Sequence, residues 1–587
     1  MKVDAVIVQD FGVMELINRK FPDLPIHAST QMSNINSYDL KFLEKFNVKR
    51  AVIDRHLTFD EIKRITEESP IEVEIFVHGA LCYSFSGQCI FSSFLGGQSA
   101  NRGRCTQPCR RRYVLNKEKT GFYFSPNDLS TIKLLEKFLQ LNVASCKIEG
   151  RMKSAQYVAN VTKAYRILID FFHENGNITN DVLKESEKLI RESYGRKTTL
   201  GYYFYDKQPI VEPKLSGATG IYAGKALESS YKMLKFKTGI DLNIGDRIRI
   251  QEIRASFNIK QIFSDKGKIL NFGKKNSVVS IPVEKNVRVK RGNLIFKVGD
   301  CRDAESVKKI KIKRKKFRIE KNITNNLLLS DDEHTKSEYY LKLGDVRHLT
   351  GLPDYFSDYL IIPLHSFNNY KSTGGKFEKF RERIFIELPP FVFEKDLEEL
   401  SLITDVLIKE GFRKFFLNSK GQTVLFNCHE DKEFFLIASE RFHVANSYSC
   451  SFLKKAGINR WVTDIENDKK NYENMVLKSN SVILLYSKYP LLVSRVPTGL
   501  KNNSFLEDNK KKKFYFKQKR GLYHIYSNET FNISFRINEF KQMGYNKFLY
   551  DVSLINNFKR GIKSFYNSLK YGKLKTGNEF NYNFNLE

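Results

Sequence analysis

Four cysteines fall within one short stretch, "VHGALCYSFSGQCIFSSFLGGQSANRGRCTQPCRRRY" (residues 77–113), as Cys82, Cys89, Cys105 and Cys109. Their spacing is C-x6-C, fifteen residues, then C-x3-C. Zinc ribbons pair cysteines as C-x2-C, so this is not a ribbon pattern. Two loosely spaced pairs suit an iron–sulfur cluster held by four thiolates, whose geometry the fold must complete. On spacing alone a zinc site, buried structural thiols and a nucleophilic thiol stay open. Five arginines, Arg102, Arg104, Arg110, Arg111 and Arg112, crowd the last two cysteines and point to an anionic partner. A cysteine protease needs a histidine and an orienting Asn or Asp beside the thiol. His78 lies four residues before Cys82, but nothing marks that pair as a dyad. HExxH, GxSxG and Gly-rich phosphate loops are absent from the sequence, so metalloprotease, α/β-hydrolase and P-loop chemistry lack their marker residues.

The elements that must position these groups are short apolar strands alternating with amphipathic helices over the first 175 residues. The strands are "VDAVIVQD", "LPIHAST", "RAVIDRH", "VEIFVHGA" and "ASCKIEGR". Helical patterns lie between them, and "SPNDLSTIKLLEKFLQ" offers Ser125 as N-cap with Pro126 at the first helical position. Such alternation predicts a parallel sheet with helical crossovers, whose chemistry sits at the C-terminal ends of the strands. Gln9 and Asp10, Ser29 to Gln31, Asp54 to His56, His78, Lys147, Glu149 and Arg151 all stand at such ends. Lys147, Glu149 and Arg151 alternate, so they are expected on one side of their strand. There they, with His78, are the catalytic candidates, against the alternative of a network that only fixes the strand.

The chain has 587 residues, 41% of them apolar, and a formal net charge of +32. The length predicts two to four domains. The charge fits a polyanionic partner or a Lys- and Phe-rich codon bias equally well. Neither a secretory signal nor an uninterrupted apolar stretch of membrane-spanning length occurs in the sequence, so a cytoplasmic location without membrane contact is expected. Clustered cysteines there read as metal ligands or catalytic groups before disulfides. Glycine-punctuated β-like runs between about 195 and 300 predict a small antiparallel barrel, followed by the basic run "KKIKIKRKKFR" (308–318).

An internal repeat organises the rest. Shifted by 410, residues 28–54 lie over 438–464 without a gap and with 11 of 27 positions identical, Asn36 over Asn446 and Asp54 over Asp464 among them. The second copy has Leu491 where the first has Cys82, so it is expected to be a degenerate scaffold or binding copy without a metal site. It also has a strand and helix upstream ("RIFIELPP", "EKDLEELSLITDVLIKEG") with no counterpart before Met1. Five of a barrel's eight strands in the first copy suggest a late start, through truncation or a misplaced start codon.

"HGALCYSFSGQC", "SANRGRCTQPCR", "SPNDL" and "KIEGRMKSAQYVANVTKAYR" strongly resemble the U32 peptidase family, often called collagenase-like. The resemblance is specific over residues 1 to about 175 and weaker beyond, where the C-terminal repeat is similar to the family's long form. It implies hydroxylation of a pyrimidine base in ribosomal RNA or tRNA, with prephenate linked to the reaction as a possible co-substrate. It also implies a 4Fe-4S cluster on Cys82, Cys89, Cys105 and Cys109, with Cys146 as an alternative to Cys109. Peptidase activity, and an inactive RNA-binding or assembly protein with an incomplete barrel, are the competing readings. The arginine cluster and "KKKKFYFKQKR" (510–520) are the expected RNA contacts. RNA is the expected partner, and no obligate protein partner is evident.

The expected fold is α/β: an incomplete TIM-like (β/α) barrel at the N-terminus, a small antiparallel β-barrel in the middle, and a second, degenerate α/β barrel-like repeat. The expected boundaries are 1–175, 176–305, a basic connecting segment 306–375, the second repeat 376–560 and a tail 561–587.

Overall fold

The computed structural model describes residues 3–584 except 300–335, 566–576 and interruptions of one to five residues elsewhere. The basic run 308–318 lies outside the described residues. Five parallel strands, β1 (Val6–Val8), β2 (Ile26–Ala28), β3 (Val48–Val52), β4 (Glu72–Ala80) and β5 (Ser145–Glu149), form an open sheet in chain order. They are the five strands read from the sequence. The crossovers begin with side-chain caps: Asp10 accepts from Val13 N–H ahead of α1 (Phe11–Lys20), and Asn36 accepts from Asp39 N–H ahead of α2 (Ser37–Glu44). A Thr58–Glu61 capping box opens α3 (Phe59–Glu68). After β5, Ser154 caps α4 (Ala155–Asn175), which ends at the left-handed Gly176.

The helix expected from Ser125 is not formed there. Residues Asp128–Ser130 pair with His78–Ala80 at the end of β4, and helix starts only at Leu135 after a short 3-10 turn. The β4 edge offers backbone partners that outweigh the local helix signal, and Ser125 Oγ instead accepts from Arg110 at 3.4 Å.

The middle segment folds around its own core as two four-stranded antiparallel sheets, spanning Ile221 to Gly299, that share Ile248, Ile295, Phe236 and Ile281 as interior residues. One continuous barrel was expected; the strands instead divide between two faces.

The second repeat is a closed barrel, not a degenerate one. Its strands are β6 (Glu338–Lys342), β7 (Tyr359–Pro363), β8 (Ile384–Glu387), β9 (Lys414–Leu417), β10 (Phe435–Ala438), β11 (Arg460–Val462), β12 (Ser481–Ser487) and β13 (Lys547–Asp551). All eight are parallel, and β13 pairs with both β12 and β6 to close the ring. Its first two strands lie inside the span read as a connecting segment, so the repeat begins before residue 376. Neither strand has a partner in the first copy, and the repeat comparison was blind to them. The chain's end is not a loose tail either: Tyr582 is 2% exposed, and Asn581 Nδ2 donates to Glu466 O at 3.1 Å.

The two repeats meet through the same parts in exchanged roles. The N-terminus of α2 sits on Gly421, and that of α5 (Ser447–Lys455) sits on Gly12. Gly421 N–H donates to Asp39 Oδ1 at 3.0 Å, and Gly12 N–H donates to Ser449 Oγ at 3.1 Å. Asn36 Nδ2 donates across to Val392 O at 2.8 Å, and Asn446 Nδ2 to Asp10 Oδ2 at 2.8 Å. Phe42 and Phe452, which correspond in the repeat, have ring centroids 6.3 Å apart in one aromatic cluster with Phe11. One hydrophobic core runs through both repeats.

This seat has no room for a methyl group. A Cβ at Gly421 would stand 2.5 Å from Asp39 N, and one at Gly12 would stand 2.8 Å from Ser449 N. Gly421→Ala and Gly12→Ala are each expected to destabilise the chain by about 1–3 kcal/mol in urea unfolding. Gly96→Ala, where nothing lies within 4 Å of the added carbon, should leave the midpoint unchanged or slightly raised.

Candidate functional site

The cysteine segment leaves the C-terminal end of β4 and is pinned from both repeats. Phe85 N–H donates to Val493 O at 2.9 Å and Ile90 N–H to Leu491 O at 3.0 Å, on a strand (Pro490–Ser494) of the second repeat. Ser86 N–H donates to Asp54 Oδ2 at 2.7 Å, and Gly87 N–H to Gln31 Oε1 at 2.8 Å. Asp54 Oδ1 also takes the backbone N–H and Nδ1 of His56 at 2.8 and 2.9 Å. The far ring nitrogen of His56 faces Tyr83 O at 3.1 Å and Ser494 Oγ at 3.4 Å. The order Ser–His–Asp imitates a hydrolase triad, but all three side chains are buried and the far ring nitrogen faces a backbone carbonyl. It is a clamp on the cysteine loop. The sequence reading noted Asp54 and His56 as polar strand ends and gave them no such role.

Between Cys89 and Cys105 the loop is held by Glu466 of the second repeat. Its carboxylate accepts from Ser93 Oγ, from Ser99 Oγ at 3.0 Å and from Asn101 Nδ2 at 3.4 Å. On the other side Arg110 donates to Pro126 O at 2.8 Å and Leu81 O at 2.9 Å. Arg110 is thus spent inside the fold and is not a free RNA contact. Arg111 reaches Thr106 Oγ1 at 3.4 Å, Arg102 lines a cavity between the repeats, and Arg104 and Arg112 are exposed.

None of the seven described cysteines is in a disulfide. Cys82 and Cys105 are exposed, Cys89 and Cys109 half-buried. Each of Cys82, Cys89 and Cys109 feels the charge of others in the set, so the four thiols share one neighbourhood. Burial pushes Cys82 and Cys89 up and Cys109 to about 12, with Arg55 opposing the rise at Cys82 and Arg110 at Cys109. Cys105 Sγ accepts from Gln107 N–H at 3.3 Å and Ser92 Oγ at 3.9 Å, the outer-shell contacts a thiolate ligand uses. Among the described residues no three His, Cys, Asp or Glu side chains stand where they would grip one metal ion. A single tetrahedral zinc would draw its sulfurs to roughly 3.8 Å from one another, given Zn–S near 2.3 Å. The four thiols are therefore not drawn together around a single ion in this arrangement. Cys146 is a separate, half-buried thiol on β5, pushed up to about 11 by burial and Glu74.

Of the catalytic candidates, Lys147 and Glu149 share one face of the open sheet. Lys147 Nζ pairs with Glu74 at 2.6 Å, and Glu149 lies 3.8 Å from Arg55. Arg151 lies beyond the strand: its N–H donates to Glu149 Oε1 at 2.9 Å and its Nη2 to Gly103 O at 3.0 Å, just ahead of Cys105. His78 lies apart. It is 3% exposed, its Nδ1 is 3.3 Å from Tyr165 Oη, and burial lowers it to about 4, as a neutral core histidine. Arg55, read from the sequence only as one of the polar strand-end residues 54–56, also belongs to this site. Its guanidinium lies 3.5 Å over the Phe76 ring, between Glu149 and Cys82, and its buried Nε has no partner. Its place just after β3 was the available signal.

Residues 1–212 match peptidase family U32. The chain carries a U32 domain. It is 38% identical over 272 residues to an uncharacterized protease of Methanocaldococcus jannaschii, an alignment covering 42% of this chain and 65% of the relative. It is 36% identical over 225 residues to tRNA hydroxylation protein P1 of Bacillus subtilis (36% and 53%). It is 36% identical over 200 residues to the 23S rRNA 5-hydroxycytidine C2501 synthase of Escherichia coli (33% and 29%). The chain therefore spans less than two thirds of each of these relatives. Among its described residues no helix is long and apolar enough to cross a membrane.

The U32 domain's loop depends on Glu466, which burial and Asp464 push above the usual carboxylate range. His443 beside it is raised by its Asp464 hydrogen bond, against the opposing effect of burial. Both groups bind a proton more tightly in the folded chain, so their contribution to stability falls as pH rises above 4.5. Glu466→Gln keeps the shape and removes the titration. Its urea midpoint should decline less than that of the wild type between pH 5 and pH 8.

Proposed function

We propose that the chain is an RNA-modifying enzyme that hydroxylates a pyrimidine base of ribosomal RNA or tRNA. In this reading Cys82, Cys89, Cys105 and Cys109 hold an iron–sulfur cluster of the 4Fe-4S type. The observation that carries it is the gathering of four thiols at the end of β4, in a domain whose relatives include proteins named for tRNA and rRNA hydroxylation. When bound, the cluster supplies one-electron chemistry.

The chain's own residues supply the surroundings. Arg55 and Arg110 place positive charge beside thiolates that burial otherwise disfavours. Glu149, with one oxygen toward Arg55 and the other on Arg151 N–H, holds a fixed carboxylate edge that can orient a base or carry a proton. Lys147 pairs with Glu74 and lines the same face. Arg104 and Arg112 are free at the surface to meet phosphates. Prephenate as co-substrate belongs to the same proposal, since a carboxylate suits the arginine-rich rim. Peptidase chemistry is less well supported: none of the four cysteines is hydrogen-bonded to a histidine, and thiols raised by burial are poor nucleophiles at neutral pH.

Anaerobic purification with iron, sulfide and zinc analysis tests the cluster; iron and sulfide are expected, and Cys105→Ser should lose them. Expression in bacteria lacking their own RNA hydroxylases, followed by nucleoside mass spectrometry, tests the reaction. Gain of one oxygen on a pyrimidine supports it. Iron-free protein, or intact cluster with unmodified RNA, overturns the respective part. Glu149→Gln should abolish modification with an unchanged melting temperature; a large fall in melting with activity retained per folded molecule would make Glu149 a structural residue.

A further inference from the structure

The mouth of the closed second barrel was expected to have lost its chemistry, yet a cavity of about 1460 Å³ opens there. Pockets for small molecules usually enclose roughly 300–1,000 Å³, so this one has room for such a ligand and its water. Its floor is a hydrogen-bonded polar layer at the strand ends. Lys342 Nζ pairs with Glu387 Oε1 at 2.6 Å, Asn418 Nδ2 donates to the same oxygen at 3.0 Å, and Asp551 accepts from Ser487 Oγ at 3.0 Å and Ser553 N–H at 2.9 Å.

Above that floor the cations gather on one side of the cavity, whose lining elsewhere includes Glu378, Asp396, Glu399, Glu410 and Glu440. The hairpin of strands Lys513–Lys519 and Leu522–Ser527 hangs over the mouth and turns through Arg520 and Gly521. Lys519, Arg520, His365 and His524 all line the cavity. Among the described residues, none of the four makes a hydrogen bond or ion pair with a carboxylate. They act on one another, with Glu387 in the floor as the nearest opposing charge. Burial, Arg520 and Lys519 bring His365 down to about 4, and burial, Arg441 and Lys519 do the same to His524. The Nδ1 of His524 is buried without a partner. The loop adds a second sign of function. Arg520 and Gly521 have φ of +52° and +72°, the two-residue turn that favours Asn or Gly at both positions. An arginine held left-handed in such a turn is strained, and strain of this kind persists where a side chain is needed.

We propose that this mouth binds a small organic anion. Its carboxylate or phosphate would sit between Arg520, Lys519 and the two histidines, and its body would lie along Phe391 and Tyr489, which Arg441 already faces at 5.1 and 5.6 Å. Cations without a carboxylate in hydrogen-bond reach are stabilised by an anion that replaces their mutual repulsion with charge-assisted hydrogen bonds. An RNA strand could touch the exposed hairpin tip, but not the buried His524 nitrogen.

The test is isothermal titration of the full chain with inorganic phosphate, adenosine monophosphate, phthalate and a short single-stranded RNA. At least one small anion should bind, and phosphate against phthalate separates a phosphate from a carboxylate site. Lys519→Ala/Arg520→Ala should weaken that binding by about tenfold or more, while Lys513→Ala at the far end of the same strand should not. Arg520→Gly separates binding from folding: it relieves the turn, so it should melt no lower than wild type and still bind more weakly. Small-anion binding absent up to about 10 mM, or unchanged in the double variant, would overturn the proposal. So would Arg520-dependent binding of RNA alone.

Discussion

Everything else in this molecule hangs on two glycines that admit the backbone of another repeat. Gly12 and Gly421 stand at corresponding places after β1 and β9, and each receives the N-terminus of the partner repeat's helix at van der Waals range. A side chain on either would push the helix outward and carry Asn36 or Asn446 out of reach of its carbonyl or carboxylate. Because the contact is backbone to backbone, it sets orientation as well as distance. The aromatic cluster of Phe11, Phe42 and Phe452 then fills the space that this approach leaves.

That orientation is what makes the cysteine segment a site. A loop carrying four thiols has little structure of its own, and here its backbone is borrowed from across the interface. Leu491 and Val493 supply carbonyls, Ser494 closes the Asp54–His56 clamp, and Glu466 gathers Ser93, Ser99 and Asn101. The second repeat therefore acts on the first as a mould. Its lack of a cysteine cluster follows from that role, since the positions equivalent to the cysteine strand end are occupied by the buried Leu491 and Leu492.

The two sheets also divide the electrostatics. The open sheet presents His27, Arg50, Glu74 and Lys147 on one face, close enough to perturb one another, and ties them in pairs such as Arg50–Glu72 at 2.7 Å. The closed barrel buries its Lys342–Glu387 pair and leaves its unpaired cations at the rim. A buried pair must be complete to be tolerated, whereas a rim cation can wait for a ligand.

The sequence by itself determined the local elements and their duplication. Short apolar runs placed strands β1 to β5 of the open sheet, and Asn-Ser-Tyr repeated 410 residues apart marked the two helix starts that prove equivalent. It also determined that four cysteines share one loop, because spacing of that kind is local. Tertiary structure alone decided which side chains are free to act. Arg110 looks like its neighbours in sequence yet is consumed by two carbonyls, and His78 sits near Cys82 in the chain but turns to Tyr165. Arg55 gained its place beside Cys82 only when β3 and β4 paired. Closure of the second barrel was equally hidden, since its first strands have no repeated partner and a ring is a property of all eight strands together. Period and spacing report on neighbours in the chain; the clamp, the mould and the cationic rim each bring in a residue from about 150 to 440 positions away, beyond any local pattern.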